Sequence, residues 1–138
     1  MKLICFDIGD KRVGVACSDP FMSMALPQKT YWRKNFKKDI EYLANLAKEK
    51  GATRIVCGLP LNFDGSISPQ TEVTLSFIEA LKQATDIEVV TNDERFTTKL
   101  ATRDLILANV RREDRKNYVD SVAASYILED YMNKLKNE

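Results

Sequence analysis

Lys2-Leu3-Ile4-Cys5-Phe6-Asp7-Ile8-Gly9-Asp10-Lys11-Arg12-Val13-Gly14-Val15-Ala16-Cys17-Ser18 is the stretch from which the fold is read. Residues 2–8 form an apolar strand-like run. Gly9 and Asp10 supply a turn, and residues 12–18 read as the hairpin partner. Asp7 does not fit such a strand. It lies among Ile4, Cys5, Phe6 and Ile8, where a carboxylate is costly unless it is paired or holds a metal. Gly9 lets a ligand approach the backbone there. The competing reading makes Asp7 a turn-initiating or capping residue.

Working outward, a third strand is expected near 24–32, placed at an edge by Pro27. Asn35 can cap a helix over 36–50, with Phe36, Ile40, Leu43, Ala44 and Ala47 on one face and Gly51 at its end. Residues 53–58 read as a short apolar strand. A loop follows from Leu59 to Pro69, with Pro60, Asn62, Asp64 and Gly65 as turn residues. A helix over 70–84 is expected to bury Val73, Phe77, Ala80, Leu81 and Ala84. Residues 87–92 give a fifth strand, Thr97 can cap a helix to about Ala108, and a last helix runs from about Tyr118 to Leu135. Hairpin strands followed by strands separated by helices predict an α/β fold: one domain over 1–138, with a mixed five-stranded sheet flanked by helices.

Composition narrows the chemistry. The chain has 138 residues, 44% hydrophobic, and no histidine. Ser-His-Asp and Cys-His catalysis, histidine metal sites and histidine bases are excluded. Catalysis must rest on carboxylates, lysine, tyrosine or bound metal. The formal net charge of +1 decides nothing about nucleic acid, so local patches must carry that case. Cys5, Cys17 and Cys57 lie in strand-like runs without a Cys-x-x-Cys pair and read as buried reduced thiols. No apolar run approaches a membrane span. Met1 and Lys2 lead straight into a strand rather than a signal peptide, so a cytoplasmic protein is expected.

Further carboxylates stand out. Asp120 shares a helix face with Ala123, Ala124, Ile127 and Tyr131, and the alanines let that helix lie close to the sheet. A first-turn aspartate favoured by the helix dipole explains its position along the helix but not the apolar face. Asp93 and Glu94 end the fifth strand, where ligands gather in α/β sheets. Neighbouring strand residues point to opposite faces, so one of this pair is expected at the site. Converging carboxylates call for hard divalent cations, Mg2+ or Mn2+, which support phosphodiester cleavage without histidine. Residues 109–117, with Arg111, Arg112, Arg115 and Lys116, read as a mobile loop that binds nucleic acid.

These residues resemble the YqgF family, also called RuvX: Holliday junction resolvase-like proteins implicated in pre-16S ribosomal RNA processing. The resemblance rests on residues 6–19, on Gly58-Leu59-Pro60-Leu61-Asn62-Phe63-Asp64-Gly65, on Asp93-Glu94-Arg95-Phe96-Thr97-Thr98 and on residues 115–124. It implies a ribonuclease H-like fold. It also implies a catalytic centre of Asp7, an acid of the Asp93–Glu94 pair, and Asp120. Glu94 is favoured as the metal ligand with Asp7 and Asp120, and Asp93 is kept as an alternative. Lys11, Arg12, Arg95 and Lys116 adjoin these acids and are candidates to hold phosphates. Asn62 is a candidate substrate contact.

The expected function is therefore a metal-dependent endonuclease acting at the 5′ end of pre-16S rRNA. A Holliday junction resolvase and a non-catalytic RNA-binding assembly factor are the alternatives. A sugar-kinase or actin-type ATPase shares the Asp7-Ile8-Gly9 pattern, but its two domains exceed this length. A monomer is expected, because no predicted helix has a spare apolar face; Tyr31 and Trp32 are the exceptions.

Overall fold

The computed structural model describes residues 1–62, 64–93 and 112–137, and for 112–118 the backbone alone. The hairpin is present: β1 (Leu3–Ile8) pairs antiparallel with β2 (Arg12–Ser18). The third strand is divided into β3 (Ala25–Pro27) and β4 (Tyr31–Trp32), both antiparallel to β2. Ala16 faces Pro27 while Val13 faces Tyr31. Three steps along β2 therefore match four along the edge, which is a one-residue bulge.

Helix α1 (Phe36–Glu49) follows, then β5 (Arg54–Leu59), α2 (Pro69–Ala84), β6 (Glu88–Asp93) and α3 (Arg112–Lys136). The strand order among the described residues is β3-β2-β1-β5-β6, with β4 also on β2. β5 is parallel to β1 and to β6. The sheet is thus mixed, as expected, but has six strands rather than five because the edge is split. The helix expected over 97–108 lies outside the described residues.

Alternation along the strands sorts side chains into two cores. Ile4, Phe6, Ile8, Val13, Val15, Ile55 and Cys57 pack against α1 and α2. Leu3, Cys5, Ala16 and Val56 pack against Ala124, Ile127, Leu128 and Met132 of α3. Fully burying each large aliphatic side chain contributes about 1.5–3 kcal/mol. The three cysteines are buried. No helix among the described residues is long and apolar enough to cross a membrane.

The helices depart from expectation in two places. Asn35 caps α1 by accepting from the Lys38 amide at 2.9 Å, as the sequence indicates. In α2 the buried face is Thr71, Thr74, Phe77, Ile78 and Leu81, and Val73 is exposed. The rotation follows from the N-terminus. Ser68 and Thr71 form a reciprocal capping pair, and the Thr71 hydroxyl also donates to the Pro60 carbonyl, turning that side inward. Helix α3 starts at Arg112, so residues 112–117, expected as a mobile loop, are helical. Arg, Glu and Lys are good helix formers, and nothing in that run breaks the helix.

Candidate active site

Asp7 takes the α3 side of the sheet, since Leu3 and Cys5 at alternate positions pack there. Its partner across the hairpin is Gly14. The α3 backbone lies directly on Gly14: a Cβ at that position would collide with the Asp120 carbonyl and come within 2.9 Å of the Ser121 nitrogen. The missing side chain therefore lets α3 touch the sheet where Asp7 sits. Ser121 fixes the contact, accepting from the Val15 amide at 3.4 Å and sharing a 2.9 Å bond with the Thr30 hydroxyl at the edge bulge. The backbone of Asp120 is thereby seated on Gly14, the strand partner of Asp7.

Arg12 Nε lies 2.9 Å from Asp120 Oδ2. The contact is a charge pair without hydrogen-bond alignment, and Oδ2, closed off from solvent, has no hydrogen-bond donor among the described residues. Burial pushes the Asp120 carboxyl above its ordinary pKa, and the Arg12 charge only partly opposes this. A shielded carboxylate oxygen whose neighbouring Arg12 is not aligned to donate is a donor that suits a hard cation, and Asp7 lies on the same face of the sheet. Asp120 is thus chemically suited to the expected metal, while among the described residues no group of three or more acids or cysteines that could hold an ion is assembled. Arg12 also faces Trp32 across the strands, its guanidinium 5.4 Å from the ring centroid.

The turn after Asp7 is braced from below. Gly9 donates to the Arg12 carbonyl at 2.9 Å, and a Cβ there would come within 2.8 Å of that oxygen. Its glycine is thus required by the turn itself, whereas the sequence suggests ligand approach. Arg33 donates to the Gly9 carbonyl at 2.9 Å and to Asp39 at 2.8 Å. Asp39 is fully buried in the first turn of α1 and also accepts from the Tyr31 hydroxyl at 2.8 Å and the Lys34 amide at 2.9 Å. Burial pushes its carboxyl up, but these donors outweigh burial and hold the pKa below the ordinary value. Burial, then the bond to Asp39 and its charge, push Tyr31 up to about 12. The sequence reading does not single out Asp39. Its signal is the one used for Asp120, an acid on an apolar helix face, between Phe36, Ile40 and Leu43.

The other candidates separate. Asn92 donates to the Ile127 carbonyl at 3.2 Å and to Asp130 at 2.9 Å, so it faces α3. Alternation puts Asp93 on the opposite face from Asp7. Glu94, Arg95 and Arg111 lie outside the described residues. Arg112, Arg115 and Lys116 belong to the first turns of α3 by their backbone. Lys11 is exposed at the hairpin tip. Asn62 is tied into its own loop, its amide donating to the Ser66 hydroxyl at 2.9 Å and its carbonyl accepting from Gly65 at 2.8 Å.

A protein of Clostridium acetobutylicum is 42% identical over 135 residues, covering 98% of this chain and 100% of its own. One of Clostridium tetani is 38% identical over 138 residues, with 100% of both chains covered. Each bears the name "Putative pre-16S rRNA nuclease". Among solved structures, the fowlpox virus resolvase in complex with Holliday junction DNA matches with TM-score 0.59 and 16% identity, covering 98% of this chain and 99% of that one. T. thermophilus RuvC with a Holliday junction substrate matches with TM-score 0.57 and 11% identity, covering 98% and 96%. These likenesses show the ribonuclease H-like fold. The family model described as "RuvX: Holliday junction resolvase" matches residues 1–134, and the chain belongs to the RuvX family.

Proposed function

We propose that this chain is a divalent-metal-dependent endonuclease that hydrolyses phosphodiester bonds at the 5′ end of precursor 16S rRNA. The seating of Asp120 on Gly14, the strand partner of Asp7, carries the reading, with Asp120 Oδ2 shielded from solvent. Asp7, Glu94 and Asp120 would hold Mg2+ or Mn2+. Asp93 takes the other sheet face, which favours Glu94 from that pair. Bound there, divalent cations supply an activated water and charge stabilisation at the leaving oxygen.

The chain's own residues position the substrate. Arg12, the charge partner of Asp120, is assigned to a phosphate next to the cut. Lys11, Arg95, Arg111, Arg112, Arg115 and Lys116 are assigned to phosphates along the strand, and Asn62 to the loop that borders it. Arg33 and Asp39 are positioning residues that fix the turn after Asp7.

RNA is preferred over a DNA junction because the relatives named for pre-16S rRNA share 38–42% identity. Similarity to the junction-bound enzymes is 11–16% and carries the fold alone. The helices do expose apolar side chains, Phe36 and Tyr42 on α1 and Val73 and Leu75 on α2, while Tyr31 is buried, so the absence of a spare helix face does not argue for a monomer. A monomer is proposed instead because one chain supplies both aspartates. Three buried cysteine thiols support a cytoplasmic setting.

The test is a magnesium-dependent cleavage assay on precursor 16S rRNA and on a four-way DNA junction, with Asp7→Asn as control and sedimentation in parallel. Specific cutting of the rRNA by a monomer is expected. A dimer that cuts the junction symmetrically and spares the rRNA would replace this reading with junction resolution.

A further inference from the structure

Between the hairpin tip and the start of α1 lies an open concavity of about 340 Å³, lined by Asp10, Lys11, Trp32, Arg33 and Lys34 among others. Trp32 is 56% exposed. A single exposed apolar residue needs no explanation, but this ring is held. It sits on β4 opposite Arg12 with the guanidinium 5.4 Å from its centroid, and the same Arg12 contacts Asp120. The aromatic surface is thereby linked to the acids through one side chain. Arg33 is consumed by Asp39 and the Gly9 carbonyl. Lys11 and Lys34 are exposed and have no ion-pair partner among the described residues. Asp10 is the one exposed acid of the lining, and the two ammonium groups outnumber it.

We propose that this concavity binds one unpaired nucleotide of the substrate strand, its base stacked on Trp32 and a neighbouring phosphate held between Lys11 and Lys34. The proposal rests on the nuclease reading and deepens it by naming what flanks the cut. A base in a duplex keeps its faces covered by its neighbours, whereas an unpaired base offers a face to the indole. The site therefore selects single-stranded character beside the acids.

Trp32 is the chain's one tryptophan, so its emission reports this site alone. Titrating the full chain with short single-stranded oligoadenylate, in chelator so that nothing is cut, is expected to quench emission to saturation. Anisotropy of labelled oligomer is expected to show Trp32→Leu weakening binding by about tenfold or more, the ordinary worth of a base–aromatic stack. Trp32→Phe restores most of the loss. Lys11→Ala with Lys34→Ala flattens the salt dependence, and a blunt RNA duplex binds wild type and Trp32→Leu equally. Absence of oligomer binding, constant emission while the oligomer is bound, or a Trp32→Leu chain binding as tightly as wild type overturns the proposal. Emission that follows protein concentration alone also overturns it and assigns the ring to a second copy. Quenching in a chain that cleaves nothing keeps the subsite and removes the nuclease reading; cleavage without quenching does the reverse.

Discussion

The α3 backbone at Asp120 rests against the bare Cα of Gly14, with no room for a Cβ between them. Gly14→Ala must push the helix off the sheet. Overpacking of this kind costs about 1–3 kcal/mol, and the larger effect is expected in activity, because Asp120 moves away from Asp7. Urea denaturation and cleavage rate, measured on the same preparation, check this. A variant with normal activity would show that the acids need no close contact.

Asp7→Asn and Asp120→Asn are each expected to lower cleavage by roughly a hundredfold or more, as removal of one preorganised catalytic group does. Neither should unfold the chain. The Asp120 carboxyl has a raised folded pKa. Without divalent metal, protonation below the unfolded value near 4 favours folding, and that gain is lost as pH rises through the folded value. At neutral pH the ionised group is a burden, so Asp120→Asn should melt no lower than wild type in chelator. Calorimetry in chelator and in magnesium separates the two effects.

Tyr31 and Asp39 give a pH signature at both ends of the scale. Tyr31 is raised to about 12, so its contribution is complete below its unfolded value near 10 and is lost as pH rises from there through about 12. Asp39 is lowered, so its contribution is present above about 4 and is lost as pH falls through the depressed folded value. Tyr31→Phe removes a donor from a buried carboxylate, at a cost of about 1–3 kcal/mol. Denaturation midpoints against pH should show the alkaline loss in wild type and not in the variant.

Replacing Arg111, Arg112 and Arg115 together with alanine is expected to weaken RNA binding at every sequence. Each phosphate contact to a single strand contributes about 0.7 to the slope of log affinity against log salt, so the slope should fall by roughly 2. Because Arg112 and Arg115 begin a helix, the variant should retain its far-ultraviolet circular dichroism. An unchanged slope would return these residues to the solvated surface.

The hairpin and both crossover helices could be read because apolar periodicity and the Asn35 cap act locally. Asp120 was legible for the same reason. Asp39 carries an identical signal, but its role depends on Tyr31 and Arg33, whose side chains meet it only after folding. In α2 the buried side includes Thr71 and Thr74, hydroxyl residues that a hydrophobic count passes over. The bulge that splits β3 from β4 is one extra residue and leaves no mark in composition. The charged run after Arg111 resembled a loop because charge indicates exposure, and a helix can be exposed too.

The contact that seats α3 spans almost the whole chain: Val15 and Ser121 are 106 residues apart. During synthesis the hairpin that carries Asp7 is made long before the helix that covers it. Until α3 is laid across Gly14, Asp120 is not held against the hairpin. The proposed centre therefore depends on a contact of long sequence separation, which a chain cut short within α3 cannot make.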